Sequence, residues 1–336
     1  MKKCFCVLIG LGVLLTLLFT YSHHVIAAEQ KPMVIKFAHQ LPESQSVAKQ
    51  ARVFEKLVKE KSKGNVVIEV YPAAQLFTAR DLYPAVRKGS VEMAAVVIGP
   101  IQGAIPLMEI FDVPFVFQNY DQVMKAWYGF PGDYLKQEME KHGAKFMAEG
   151  YYGFTHICNI KHEIRTPKDI RGLKIRCIGP LTAEIISAMG GGAVVMGGDE
   201  AYLAMSRKVV DGSFTGLVSM ATRKYWEIQK YLSLINLNYT GIPMLINLQF
   251  WKGLSKEVQN LLQASAKESE DFVLKETIKE EKEAVDLLKE KGMIVYTPTP
   301  AEMEEFRKFC APIKDAWIKK HGDIAAKMVK FVEEIK

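Results

Sequence analysis

Residues 169–176 read Asp-Ile-Arg-Gly-Leu-Lys-Ile-Arg, a polar turn followed by a short strand that ends in Arg176. Pro167 and the Asp and Gly of this segment predict the turn, and the apolar positions from Leu173 to Cys177 predict the strand. A strand that ends at a cleft holds a guanidinium in one place, where it binds a carboxylate through two parallel N–H···O hydrogen bonds. The segment therefore predicts a binding site for an organic anion.

Strands and helices alternate on the N-terminal side of this segment. Apolar residues predict strands at 34–39 and 66–71, and a continuous apolar run predicts a strand at 93–98 that is buried on both faces. Helical spacing predicts helices at 46–61 and 80–87, the latter broken at its proline or beginning there. This alternation indicates an α/β protein with mostly parallel strand pairing.

The alternation continues toward the C-terminus. A helix is predicted at 200–208 with Asp199 as its N-cap. Residues 255–291 contain no proline or glycine, which predicts one helix of about 50 Å; two helices with an unrecognised break are the alternative. The last helical stretch should break near Pro312 and Gly322.

The first 28 residues have the pattern of a secretory signal peptide. Lys2 and Lys3 precede an apolar run at 7–19, and Ala27 and Ala28 precede the expected cleavage point. The apolar run is short for a membrane span, although an uncleaved anchor remains the alternative. The pattern predicts export to the periplasm with cleavage near Ala28.

The length and net charge of the exported chain indicate how many domains it has and which partners it does not bind. About 308 residues remain after cleavage, which is more than one core comfortably holds and suggests two domains. The formal net charge of the whole chain is +6, and the basic residues are scattered among 38 acidic ones. Because nucleic-acid binding requires a clustered basic face, no nucleic-acid partner is expected.

Sequence signatures of cofactor, metal and catalytic sites are missing. The sequence contains no P-loop, H-E-x-x-H, C-x-x-C or G-x-S-x-G pattern. The glycines at 190–192 and 197–198 fit a helix end and a turn better than a dinucleotide loop. The histidines beyond residue 28 are scattered without metal-ligand spacing. We therefore expect no catalytic residue, no metal and no cofactor.

Cleavage leaves Cys158, Cys177 and Cys310 in an oxidising compartment. Three thiols do not form a disulfide framework, and a chain of this size does not need one. A bridge between Cys158 and Cys177 and buried free thiols are both open at this point.

The order of several motifs resembles a known family. Dense similarity covers residues 71–89, 111–117 and 166–232, including Ala-Tyr-Leu-Ala-Met at 201–205 and Lys-Tyr-Trp-Glu at 224–227. The chain resembles the DctP-type solute receptors of TRAP (tripartite ATP-independent periplasmic) transporters over nearly all of its mature length. The resemblance implies a two-domain periplasmic binding protein-like α/β fold, with a ligand cleft between the domains, hinge strands and a long helix that spans both.

The resemblance also implies discontinuous domains and a role without chemistry. Domain I is expected at 29–153 plus 242–281, and domain II at 154–241 plus 282–336. Such a receptor, usually monomeric, binds a small organic acid, closes by hinge bending and delivers the acid to a permease of two membrane subunits driven by an ion gradient. The alternatives are an exported enzyme and a receptor that signals to a membrane sensor.

Three basic residues match ligand positions of the family. Arg176 takes the place of the arginine that binds the substrate carboxylate. His156 stands 20 positions upstream, where a second cationic residue is frequent, and a core or surface histidine is the alternative. Arg80 matches a loop position that contacts ligand, with a solvated helix face as the alternative.

The remaining candidates are less polar than is common in the family. Thr215 offers a hydroxyl where asparagine is frequent, and Phe214 offers a ring to an apolar ligand body. Gly198 stands where a relative specific for a sugar acid has an aromatic residue. Tyr239 and His39 are further cleft candidates, with a position in the core as the alternative for each. These departures favour an organic acid with an aromatic or branched apolar body.

Overall fold

The computed structural model describes residues 31–335, so the predicted signal peptide lies outside the described residues. None of the helices in this range is long and apolar enough to cross a membrane. The strands are β1 (Met33–His39), β2 (Val66–Tyr71), β3 (Met93–Ala95), β4 (Ala144–Ala148), β5 (Tyr151–Asn159), β6 (Lys174–Cys177), β7 (Gly192–Val195), β8 (Gly212–Gly216), β9 (Tyr231–Ser233), β10 (Tyr239–Gly241), β11 (Met244–Asn247) and β12 (Ile294–Tyr296).

Helices cover these strands on both sides, as the alternating pattern predicts. They are α1 (Ser46–Lys61), α2 (Leu82–Lys88), α3 (Ile98–Gln102), α4 (Tyr120–Trp127), α5 (Phe130–Lys141), α6 (Pro180–Ala188), α7 (Gly198–Ser206), α8 (Leu217–Thr222), α9 (Leu248–Gly253), α10 (Lys256–Glu290), α11 (Pro300–His321) and α12 (Asp323–Glu333). Short 3₁₀ helices occupy Pro106–Asp112, Pro167–Ile170 and Tyr225–Glu227.

The strands form two sheets. The first has the order β2-β1-β3-β11-β4, and the second has the order β12-β9-β5-β8-β6-β7 with β10 beside β5. The expectation of mostly parallel pairing is wrong. Strands β5 and β11 are antiparallel to their partners, whereas β1–β3, β6–β7, β6–β8 and β9–β12 are parallel. The antiparallel pairs arise because β5 and β11 continue segments that arrive from the other sheet.

Two segments carry the chain directly between the sheets. Residues 149–150 join β4 of the first sheet to β5 of the second, and residues 242–243 join β10 to β11 in the opposite direction. The two crossings are hydrogen-bonded to each other, since Gly150 and Ile242 exchange backbone bonds of 3.2 and 3.0 Å. The crossings form a direct covalent link between the two sheets.

The long helix predicted from the proline-free stretch is confirmed as α10. Ser255 caps it by accepting a hydrogen bond from the Val258 N–H at 3.3 Å. The helix contacts β4 of the first sheet and β5 and β12 of the second. It is tied to β5 by Thr277, whose hydroxyl donates to the Tyr151 carbonyl at 2.8 Å. Its length thus serves to span both sheets.

Three local predictions fail for physical reasons. The strand predicted at 93–98 ends at Ala95, and α3 begins at Ile98, because an apolar run by itself does not separate a buried strand from a buried helix. Pro312 lies inside α11 without breaking it, since buried Phe306 and Trp317 anchor the helix on both sides. The N-cap of α7 is Gly197, and Glu200 accepts its N–H at 3.1 Å.

Candidate functional site

A cavity of about 300 Å³ lies between loops of the two sheets. The first sheet contributes α3 and the segment before it, including Val97, Gly99 and Pro100. The second sheet contributes β6 and the start of α7, including Arg176 and Gly198. Loops at the ends of strands often carry binding residues, because the rigid sheets hold these loops in position.

Arg176 is the charged group at the centre of this wall. It lies on β6 between β7 and β8, and only 4% of it is exposed. Its Nε and Nη2 both donate to the Met196 carbonyl, at 3.1 and 2.8 Å. Among residues 31–335 no carboxylate oxygen lies within 4.0 Å of it. Because a guanidinium does not lose its proton, this charge is buried without a counter-charge from the described chain.

Two helix N-termini also point their positive ends at the cavity. Gly179 and Pro180 begin α6, Gly197 and Gly198 begin α7, and all four line the cavity. The macrodipole of each helix favours negative charge at this end. The start of α6 therefore adds positive potential beside Arg176, whereas Asp199 and Glu200 in the first turn of α7 offset the positive end of that helix.

Arg80 lies at the edge of the same cavity, as predicted. Its side chain is 62% exposed, Nη2 donates to the Val195 carbonyl at 3.0 Å, and Glu200 is 3.9 Å away. The bond to Val195 joins a loop of the first sheet to β7 of the second. The structure thus gives Arg80 a contact across the cleft, and its contact with a ligand stays a prediction.

Gly198 is the third predicted residue that lines the cavity, and two residues that the sequence did not indicate lie beside it. A Cβ placed on Gly198 would lie 3.7 Å from Nη2 of Arg176, 3.7 Å from Nη2 of Arg223 and 3.5 Å from Oε1 of Gln40. Arg223 follows α8, and Gln40 follows β1. The sequence could have indicated Gln40 because it directly follows His39 at the end of a strand. Successive side chains of a strand point to opposite faces, so either of the two could face the cleft.

His156 and Thr215 lie opposite each other on β5 and β8, on the sheet face shared by Ser213 and Arg176. Both are buried, and neither lines the cavity. Burial lowers the pKa of His156 to about 3, so the ring is neutral, and its Nδ1 accepts the Asn236 N–H at 3.4 Å. Their roles as ligand contacts stay predictions, and His156 does not act as a cation there.

Thr215 is already hydrogen-bonded within the protein. Its hydroxyl lies 2.7 Å from the hydroxyl of Tyr152. Phe214, its neighbour on β8, points to the opposite face and is fully buried in the hydrophobic core. Neither side chain lines the cavity, so any contact with ligand requires a different arrangement of the cleft.

Tyr239 and His39 lie away from the cavity lining. The hydroxyl of Tyr239 donates to Oε1 of buried Glu149 at 3.0 Å, beside the chain crossings. His39 shares the core-facing side of β1 with Ile35 and Phe37. Burial lowers the pKa of His39 to about 4, and its Nδ1 accepts the Leu41 N–H at 3.3 Å.

The three cysteines within residues 31–335, which are Cys158, Cys177 and Cys310, are buried and free. Burial raises the pKa of Cys158 and of Cys177 to about 12, so both are thiols at neutral pH and neither is an activated nucleophile. Within the described range, no group of three or more His, Cys, Asp or Glu side chains has an arrangement that holds a metal ion.

Glycines allow the two walls of the cavity to meet. A Cβ on Gly99 would lie 2.5 Å from the carbonyl oxygen of Ile178, and a Cβ on Gly179 would lie 2.5 Å from Oε1 of Gln102. Real Cβ atoms do not approach other atoms this closely. The Ile178 carbonyl is part of the backbone, so Gly99 is needed for the observed approach of α3 to the end of β6, whereas Oε1 of Gln102 is the end of a flexible side chain that could shift. The structure therefore shows the cleft with its walls in contact.

Comparison with known proteins identifies the family. The model of the family described as bacterial extracellular solute-binding protein, family 7 (DctP), matches residues 37–320. The chain belongs to the DctP family. The C4-dicarboxylate-binding periplasmic protein DctP of Rhodobacter capsulatus is 30% identical over 302 residues, which cover 88% of this chain and 90% of that protein. The 2,3-diketo-L-gulonate-binding periplasmic protein YiaO of Escherichia coli is 28% identical over 83% of this chain and 84% of its own.

Solved structures show the same fold for this DctP-family chain. The sugar acid binding protein DctPAm of Advenella mimigardefordensis, in complex with galactonate, gives a TM-score of 0.88 at 27% identity, covering 91% of this chain and 99% of that one. A TRAP periplasmic solute binding protein of Sulfurospirillum deleyianum with bound succinate gives 0.85 at 26% identity, covering 90% and 99%. The predicted two-domain, periplasmic binding protein-like fold is confirmed. The chain is a solute-binding receptor of the TRAP type and not an enzyme.

Proposed function

We propose that this protein is the periplasmic receptor of a TRAP transporter and that Arg176 binds the carboxylate of a small organic acid. The observation that supports this assignment is the buried guanidinium, which faces the cavity and has only the Met196 carbonyl as a partner in residues 31–335. A carboxylate supplies the missing counter-charge and two acceptors for the N–H groups that remain. Relatives that bind dicarboxylates and sugar acids support an acid as the ligand class.

The rest of the cavity supports an apolar ligand body. Apart from the arginines and glycines, its lining is made mainly of Ala79, Val97, Pro100, Ile178, Pro180, Val195 and Met196. Burying the apolar part of an acid against these side chains contributes about 25 cal/mol per Å². An aromatic or branched-chain acid fits such a lining better than a ligand with many hydroxyl groups, which would be left without partners.

The same geometry supports a role in closure and delivery. The two crossings at 149–150 and 242–243 are short enough to act as hinges, and α10 runs beside them. Opening would separate Arg80 from Val195 and Gly99 from Ile178, which releases the ligand toward the permease subunits. We expect the mature protein to act as a monomer, which light scattering on the purified protein checks.

Thermal unfolding against a panel of organic acids, amino acids and neutral sugars tests the proposal. A ligand that binds only the folded protein adds about 2.7 kcal/mol of stability at 100 times its Kd, which gives a clear rise in Tm. We expect a rise with one class of carboxylate that disappears in Arg176→Gln and persists in Arg171→Gln, an exposed arginine in the preceding turn. A rise with neutral sugars or amines only would overturn the arginine–carboxylate clamp.

A further inference from the structure

A second guanidinium lies beside Arg176. Arg223 follows α8, and its Nε donates to the Ser219 hydroxyl at 3.3 Å. Its Nη2 donates to Gln40 of the first sheet, to the backbone oxygen at 3.3 Å and to Oε1 at 3.0 Å. All of these acceptors are neutral. They hold the guanidinium in position without balancing its charge.

Arg176 and Gly198 line the cavity and Arg223 lies behind that lining, but the two guanidinium groups converge on the Cβ position of Gly198. Each Nη2 is 3.7 Å from the Cβ position of that glycine, so the two nitrogens lie no more than twice that distance apart. In the part of the chain that the structure describes, neither arginine has a carboxylate oxygen within 4.0 Å. Two like charges at this separation repel each other, and one anionic group placed between them relieves the repulsion.

We propose that Arg176 and Arg223 bind one compact headgroup, a carboxylate whose neighbouring carbon carries a hydroxyl or keto oxygen. This inference rests on the proposed function, in which Arg176 takes the carboxylate, and it gives the adjacent oxygen to Arg223. The convergence of both Nη2 atoms on one point suits oxygens on adjacent carbons, whereas a second carboxylate several carbons away would reach the apolar end of the cavity. The ligand class is therefore a 2-hydroxy or 2-oxo acid.

Gly198 provides the room for this headgroup. A Cβ there would meet Gln40, Arg176 and Arg223 at 3.5–3.7 Å, which is ordinary van der Waals contact. Gly198→Ala should therefore fold normally. The added methyl group would occupy the space that the headgroup needs, so the same substitution should weaken binding.

Isothermal titration with three matched pairs of acids tests the inference. The pairs are lactate and propionate, mandelate and phenylacetate, and 2-oxo-4-methylpentanoate and 4-methylpentanoate, and each pair differs in the oxygen on the second carbon. We expect wild-type protein to prefer the oxygenated member of a pair by about 10- to 100-fold, the effect of one hydrogen bond to a charged group. In Arg223→Gln this preference should fall to about 2-fold or less, and Arg171→Gln should keep it.

The other outcomes separate the inference from the proposed function. Equal losses for both members in Arg223→Gln would mean that Arg223 only ties the two sheets together through Gln40, and would overturn the inference. So would an absence of preference in wild-type protein, or unchanged binding in Gly198→Ala. If no member of any pair binds while other carboxylates raise the Tm in an Arg176-dependent way, the headgroup assignment fails and the clamp stands. If no carboxylate binds, both fail.

Discussion

The protein accommodates two buried ionisable side chains in opposite ways. One is Arg176 at the cavity, and the other is Glu149 at the chain crossings. Glu149 is fully buried, and its Oε1 accepts from the Tyr239 hydroxyl at 3.0 Å and from the Ile242 N–H at 3.1 Å. Burial raises its pKa well above the usual range, so the neutral form is favoured. Arg176 is almost as buried, but a guanidinium has no neutral form available.

We interpret the difference as that between a structural group and the proposed binding group. Burial favours the neutral form of Glu149, and its Oε1 accepts from Tyr239 and Ile242, although its Oε2 has no partner within residues 31–335. Arg176 keeps its charge beside the cavity with one carbonyl as its partner in that range, and under the proposed function an anion supplies the counter-charge. Each prediction below tests one side of this contrast.

The largest expected effect is on ligand affinity in Arg176→Gln. Losing one partner of a desolvated charged pair costs about 2–5 kcal/mol, which weakens the binding of the best acid by about 30- to 4,000-fold. The ligand-free Tm should stay the same or rise, because an unbalanced buried charge is removed. Glu149→Gln should change the Kd by about 2-fold or less. Titration calorimetry measures the Kd of both variants. A large loss of affinity in Glu149→Gln would contradict the proposed difference between the two residues.

A substitution at the closing surface should give the next largest effect. Gly99→Val places side-chain atoms against the Ile178 carbonyl, where even a Cβ is too close at 2.5 Å. Overpacking of this kind costs about 1–3 kcal/mol, which corresponds to about a 5- to 150-fold loss of affinity. The Tm of the ligand-free protein should change little if the cleft opens to relieve the clash. Small-angle scattering should then show a larger radius of gyration; an unchanged radius with unchanged affinity would refute closure at this contact.

A smaller effect is expected on the pH dependence of stability. The folded-state pKa of Glu149 is raised above its unfolded value of about 4.5, so its stabilising contribution is complete below that pH and is lost as pH rises toward the folded pKa. Within this window each pH unit costs about 1.4 kcal/mol. Urea unfolding from pH 4.5 upward should therefore show a shallower decline in Glu149→Gln than in wild type. Glu184→Gln, an exposed control on α6, should keep the wild-type slope; equal slopes in all three proteins would contradict a neutral Glu149.

The smallest expected effect concerns His156. Because burial lowers its pKa to about 3, the ring carries no charge between pH 5.5 and 8. The affinity for a fully ionised acid should then vary by about 2-fold or less over this range. A steep gain in affinity as the pH falls, abolished in His156→Asn, would show instead that the histidine binds the ligand as a cation.

The sequence predicts the fold and the main binding group better than the rest of the site. Residues 255–291 lack proline and glycine, and Arg176 lies on a short strand that follows a clear turn, so local chemistry determines both. Whether His39 or Gln40 faces the cleft depends on which face of β1 lies toward the second sheet. Contacts between residues far apart in the sequence determine that orientation, so the local sequence does not predict it. The residues around Arg223 in the sequence do not mark it as a site residue, because its hydrogen-bond partner Gln40 lies 183 positions away.

The most direct test of the contrast is a crystal structure of the complex with the acid that gives the largest rise in Tm. We predict a carboxylate in the cavity with both oxygens about 2.7–3.0 Å from guanidinium nitrogens of Arg176, and Glu149 still bonded to Tyr239. A ligand carboxylate that lies elsewhere, with Arg176 bonded only to the Met196 carbonyl, would show that this buried charge is structural and that the account of the site is wrong.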